Sequence, residues 1–95
     1  MRLSEDIKVY FKQNFGQFFP EAKLYLFGSR TDDTAKGGDI DLMILSENQL
    51  DKKIIRKIRI DFFKKFGWQK IDIVNFTFSE NTAFRKIIEN TAIEL

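Results

Sequence analysis

The chain has 95 residues, 43% apolar and 32% charged, with 16 basic and 14 acidic side chains and a net charge of +2. That balance suits a folded protein with a modest core, roughly 60–70% of the unfolded surface being buried at this size. It gives no argument for direct nucleic-acid binding, which is not expected. Cysteine and histidine are both absent, which excludes disulfides, thiolate nucleophiles, Ser-His-Asp catalysis and histidine-bound zinc.

Residues 4–18 are expected to form a helix. Ser4 can cap it, Glu5 and Asp6 suit its first turn, and Leu3, Ile7, Tyr10, Phe11, Phe15 and Phe18 recur at three-and-four spacing. Pro20 ends that region. Residues 22–27, AKLYLF, read as a strand stopped by Gly28, and residues 39–45 as a second strand. A long helix is expected from about Asn48 to Phe66, with Leu50, Ile54, Ile58, Phe62 and Phe66 every fourth residue and Gly67 as its C-cap. Residues 68–76, WQKIDIVNF, alternate as a third strand. Ser79 can cap a last helix carrying Phe84, Ile87, Ile88 and Ile93. The whole chain, 1–95, reads as a single domain of the α/β (α+β) class: a small mixed sheet of about three strands flanked by helices, one sheet face partly open for a site.

The second strand carries an unusual burden. Asp39 and Asp41 have the same parity, so they share one face, while Ile40 and Leu42 take the other. Their Cα atoms lie ~6.6 Å apart along the strand, a spacing from which two carboxylates can converge on one cation or bridge a metal pair. Asp72, between Ile71 and Ile73, repeats the pattern in the third strand. Alone it reads first as a strand-end residue or the partner of a lysine. Three carboxylates on one surface raise each other's pKa and repel unless a cation neutralises them, and oxygen donors suit a hard ion such as magnesium. Gly28 and Ser29 precede this strand at a sharp turn. Glycine lets backbone amides approach a phosphate, and Ser29 adds a hydroxyl donor; an isolated Gly-Ser pair is otherwise an ordinary turn. Thr31–Thr34 and Gly37–Gly38 read as turn residues.

"LFGSR", then "GGDIDLMIL", then "KIDIVNF" together resemble the DNA polymerase β-type nucleotidyltransferase superfamily, and within it the minimal nucleotidyltransferases (MNT). The resemblance covers about residues 22–76 and implies an enzyme using ATP with Mg²⁺, two ions. On that resemblance Gly28 and Ser29 would hold the β- and γ-phosphates with Arg30 in the same nucleotide-binding turn. Asp39 and Asp41 would bind metal, and Asp72 would be the third metal-binding carboxylate and the general base for the attacking hydroxyl. Larger members add an acceptor-binding domain for which this length leaves no room. The resemblance therefore implies a helical HEPN-type partner, a toxin–antitoxin system, and transfer of AMP from ATP to a tyrosine of the HEPN ribonuclease toxin (AMPylation), with this chain as antitoxin. The alternatives are an antitoxin that acts mainly by complex formation, and transfer to a small molecule.

Other features are plainer. No apolar stretch approaches a membrane span, and MRLSEDIKVY lacks a signal-peptide core, so a cytoplasmic location is expected. Segment 52–70 carries eight basic residues against Asp61. It reads first as the solvated face of an amphipathic helix and second as a surface for an acidic partner or RNA. Phe15, Phe18, Phe19, Phe76, Phe78 and Phe84 read as core, some of them as an interface with a homo- or hetero-oligomeric partner.

Overall fold

A computed structural model describes residues 3–28 and 39–95. Ser29, Arg30, Thr31–Thr34 and Gly37–Gly38 lie outside the described residues. The elements run α1 (Glu5–Phe18), β1 (Lys23–Phe27), β2 (Ile40–Ser46), α2 (Lys52–Phe66), β3 (Ile71–Thr77), α3 (Ala83–Glu89) and β4 (Ile93–Glu94). The sheet order is β3-β2-β1-β4. β1 is antiparallel to both β2 and β4, whereas β3 is parallel to β2, with α2 as the crossover.

Parity sorts the two faces. Leu24 and Leu26 of β1, Ile40, Leu42 and Ile44 of β2, and Ile71 of β3 pack under Tyr10, Phe11 and Phe15 of α1 and Ile58 and Phe62 of α2. Phe11 and Phe62 are fully buried. Their rings stack with centroids 5.2 Å apart and planes 8° from parallel. Burying each such side chain stabilises the fold by ~1.5–3 kcal/mol. Tyr10, at the same seam, satisfies its buried hydroxyl by donating to the Ile58 carbonyl at 2.6 Å. On the opposite face Met43 and Leu45 are covered by Ile88 of α3, beside Tyr25, Phe27, Val74 and Phe76. That face is therefore partly covered, not bare.

The first helix and first two strands stand within a residue of expectation, and Ser4 and Gly67 cap as expected. Four departures have physical causes. α2 begins at Lys52 rather than near Asn48, because the Asn48 carbonyl accepts from Ser46 Oγ and Leu50 N–H donates to Asn75 Oδ1. Asp51 then caps, its Oδ1 accepting from Lys53 N–H at 2.8 Å. β3 begins at Ile71 rather than Trp68, since pairing opens where Ile40 N–H donates to the Lys70 carbonyl, leaving Trp68 79% exposed. α3 is capped by Thr82, not Ser79, which sits in the preceding turn. Ile93 belongs to no helix: with Glu94 it forms β4 against Tyr25 and Leu26, giving four strands where about three are expected. The phenylalanines divide, Phe15 being buried but Phe18, Phe78 and Phe84 exposed.

Candidate active site

Parallel pairing of β2 with β3 sets Asp41 directly opposite Asp72 and Ile40 opposite Ile71. Asp39, two residues before Asp41, has the same parity. All three aspartates thus meet at one end of the sheet face whose other end carries Met43, Leu45, Val74 and Phe76. The turn after β1 closes on the same point, because Phe27 pairs with Asp41. Gly28 has φ +78°, in the left-handed region that a side chain disfavours. A Cβ there would overlap Asp41 Oδ2 and stand 3.3 Å from its Cγ. Glycine is thus required twice, by the backbone and by the carboxylate behind it.

Asp39 and Asp41 are half-buried, and Asp72 is exposed. Burial first, then the charges of Asp72 and Asp39, hold the Asp41 carboxyl above the usual carboxylate value, and a side-chain hydrogen bond with Asp72 acts in the same sense. Lys70 works against them. Its Nζ lies 3.4 Å from Asp39 Oδ2 and 4.0 Å from Asp72 Oδ2. Both pairs are open to water, where such contacts contribute little. Lys70 is the site residue that sequence reasoning missed, having been counted only in the basic segment. The signal was present: it stands two residues before Asp72, hence on the same face.

Among the described residues no group of three acidic side chains is already gathered as a cation cage. The donor chemistry nevertheless fits a divalent ion. The oxygens are hard, they converge from adjacent strands, and among the described residues the counter-charge beside Asp41 is one exposed lysine. A cleft of about 440 Å³ lies elsewhere, between α2 and the outer side of β3, and includes none of the three aspartates. No helix among the described residues is long and apolar enough to cross a membrane.

Solved structures share this fold. Two mutant forms of the toxin-antitoxin MntA-HpeT superpose with TM-scores of 0.71 and 0.69, at 21% and 17% identity, covering 98% and 97% of this chain and 72% and 71% of theirs. A structure of the tri-AMPylated Shewanella oneidensis HEPN toxin in complex with MNT antitoxin matches with a TM-score of 0.61 at 20% identity, over 94% of this chain and 65% of that one. At such identities the likeness is one of fold. No curated protein matches. The family model described as a nucleotidyltransferase domain matches residues 6–95, all of the sheet and every helix but the first residue of α1. The chain belongs to the nucleotidyltransferase domain family.

Proposed function

We propose that this chain is an Mg²⁺-dependent adenylyltransferase that moves AMP from ATP onto a hydroxyl of a helical HEPN-type partner protein, and that it is the antitoxin of that pair. The observation that carries the reading is the parallel register that sets Asp72 against Asp41, with Asp39 on the same face and Gly28 backed against Asp41. The fold likeness to MNT and MntA structures from toxin-antitoxin complexes, one holding an AMPylated toxin, favours a protein acceptor.

In this reading the acceptor hydroxyl oxygen bonds to the α-phosphorus of ATP, the bond to the β-phosphate oxygen breaks, and pyrophosphate leaves. The hydroxyl proton passes to Asp72, the carboxylate on the edge strand and 52% exposed at its side chain. Asp39 and Asp41, with Asp72, would hold Mg²⁺, two ions by the logic of paired-metal transfer. When bound, the metal supplies positive charge where charge develops on the attacking and leaving oxygens. Gly28, lacking a side chain, leaves the backbone of the turn accessible to the β- and γ-phosphates, and Ser29 and Arg30 follow it in the same role.

Labelled ATP, Mg²⁺ and a HEPN-type partner test this directly. Wild type is expected to label the partner. Asp72→Asn is expected to bind ATP within a few-fold of wild type and to transfer at least about a hundredfold more slowly, since a positioned base contributes ~10²–10⁴-fold. Near-normal single-turnover transfer by Asp72→Asn would remove it from the site. A complex that forms without any labelling by wild type would leave neutralisation by binding alone.

A further inference from the structure

The outer side of β3 combines three features that nucleotide transfer does not use. The first is an unpaired edge. Ile40 N–H donates to the Lys70 carbonyl and Phe78 N–H donates to the Ser46 carbonyl. Even-numbered residues of this strand therefore turn their peptide groups toward β2, and Ile71, Ile73, Asn75 and Thr77 turn theirs outward. Thr77 N–H is already satisfied by Glu80 Oε1 at 3.0 Å. Among the described residues no strand lies beyond β3. Proteins normally guard such an edge with charge, proline or a bulge. Within Ile71–Thr77 the one charged residue is Asp72, near the start.

The second feature is the cleft of about 440 Å³ beside this edge, floored by Leu50, Ile55 and Ile73 and walled by Lys52, Arg56 and Arg59. These cations follow the i, i+4, i+7 positions of α2, so they span ~10.5 Å along one side of the helix at 1.5 Å per residue. None has a carboxylate within ion-pair distance among the described residues. Arg59 Nε is buried without a hydrogen-bond partner, a cost that a charged acceptor would remove. The third feature lies across the strand, where Phe76 meets the exposed Phe84 at a centroid distance of 6.1 Å. That flank is apolar.

We propose that the outer edge of β3 receives an extended segment of a partner protein as an added strand, with carboxylates toward α2 and apolar side chains toward α3. A strand presents alternate residues ~6.6 Å apart on each face, so two successive carboxylates fall within the ~10.5 Å row of cations. The outward peptide groups of Ile71, Ile73 and Asn75 supply the main-chain bonds of strand addition. A second copy of this chain fits poorly, because it would bring its own Lys52, Arg56 and Arg59 to the same place. Single-stranded RNA also fits poorly, since no aromatic side chain lines the cleft for bases to stack on.

Fluorescence anisotropy tests the edge, using a labelled heptapeptide of alternating Glu and Val and the full chain. Saturable binding is expected below about 1 mM. The same peptide N-methylated at alternate amides, which cannot pair along one side, is expected to bind at least about tenfold more weakly. Arg56→Ala combined with Arg59→Ala is expected to weaken the unmethylated peptide by a similar factor. The methylated peptide probes the wild-type protein, so the strand-pairing arm is independent of how the double variant folds. Equal binding of the methylated peptide, unchanged affinity in a folded double variant, tighter binding of an oligouridylate of equal length, or no saturation by about 1 mM would each overturn the proposal.

Discussion

Gly28→Ala should cost this protein more than a glycine substitution in an ordinary turn, and the excess should depend on Asp41. Two terms add. The backbone at φ +78° is left-handed, which costs a residue with a Cβ ~1–2 kcal/mol. The new methyl also overlaps Asp41 Oδ2 and crowds its Cγ at 3.3 Å, so the carboxylate must leave its rotamer, at ~0.5–1.5 kcal/mol. The sum, about 1.5–3.5 kcal/mol, corresponds to a fall in Tm of roughly 6–28 °C for a domain of this size. The two terms separate in a double-mutant cycle of wild type, Gly28→Ala, Asp41→Ala and the pair, each unfolded in urea. With the Asp41 carboxylate removed, only the backbone term of ~1–2 kcal/mol should remain. A coupling energy of about 0.5 kcal/mol or more is expected. If Gly28→Ala is equally damaging with and without the Asp41 carboxylate, the turn does not bear on Asp41 and the geometry argued for the site is wrong.

Two carboxylates should respond to pH with opposite sign. The Asp41 pKa is raised in the fold from 3.8, so the native state holds its proton longer than the unfolded chain. Its contribution to stability therefore falls as pH rises from about that value through the folded pKa. Asp41→Asn should be more stable than wild type at pH 7, with the gain shrinking as pH approaches 4; a gain that is unchanged across chemical denaturation at both ends contradicts the repulsion among the aspartates. Glu80 is the reverse case. Its carboxylate accepts from Thr77 N–H, Thr77 Oγ1 and Gln49 Nε2, and the backbone bond above all lowers its pKa from 4.5. That stability is present above the unfolded value and is lost as pH falls through the folded one. Glu80→Gln should lower Tm at pH 7 and converge with wild type in acid, and a constant difference would show that charge is not what matters there.

The site aspartates and the core faces were legible because strand parity is a strict local rule. Once 39–45 and the segment around Asp72 are strands, Ile40, Leu42, Ile71 and Ile73 must oppose Asp39, Asp41 and Asp72. What parity does not reveal is register or neighbour. Nothing in the local pattern distinguishes Ser79 from Thr82 as a cap. The choice is made by Arg85, whose guanidinium donates to the carbonyls of Thr77, Phe78 and Glu80 and so holds residues 77–80 in a turn. The start of α2 is likewise decided by Asn75, 25 residues away from Leu50 in sequence. β4 is two residues long, too short to alternate, and exists because β1 offers it an edge. Lys70 entered the site through the same parity that revealed Asp72, but it was masked by the seven other basic residues of its segment.

The packing itself gives no reason for the aspartates. On the same sheet face, further along the same two strands, stand Met43, Leu45, Val74 and Phe76, gathered in one apolar cluster with Ile88. Side chains of that kind are compatible with both strands, so β2 and β3 do not need carboxylates to form. Placing three at one end of the face introduces repulsion that raises the Asp41 pKa, and an exposed lysine offsets it only in part. It also forces the preceding turn to be glycine. A point at which a sequence conflicts with its own folding is marked as serving something other than folding. Such a conflict lies where Gly28, Asp39, Asp41 and Asp72 meet, within the span matched by the nucleotidyltransferase domain.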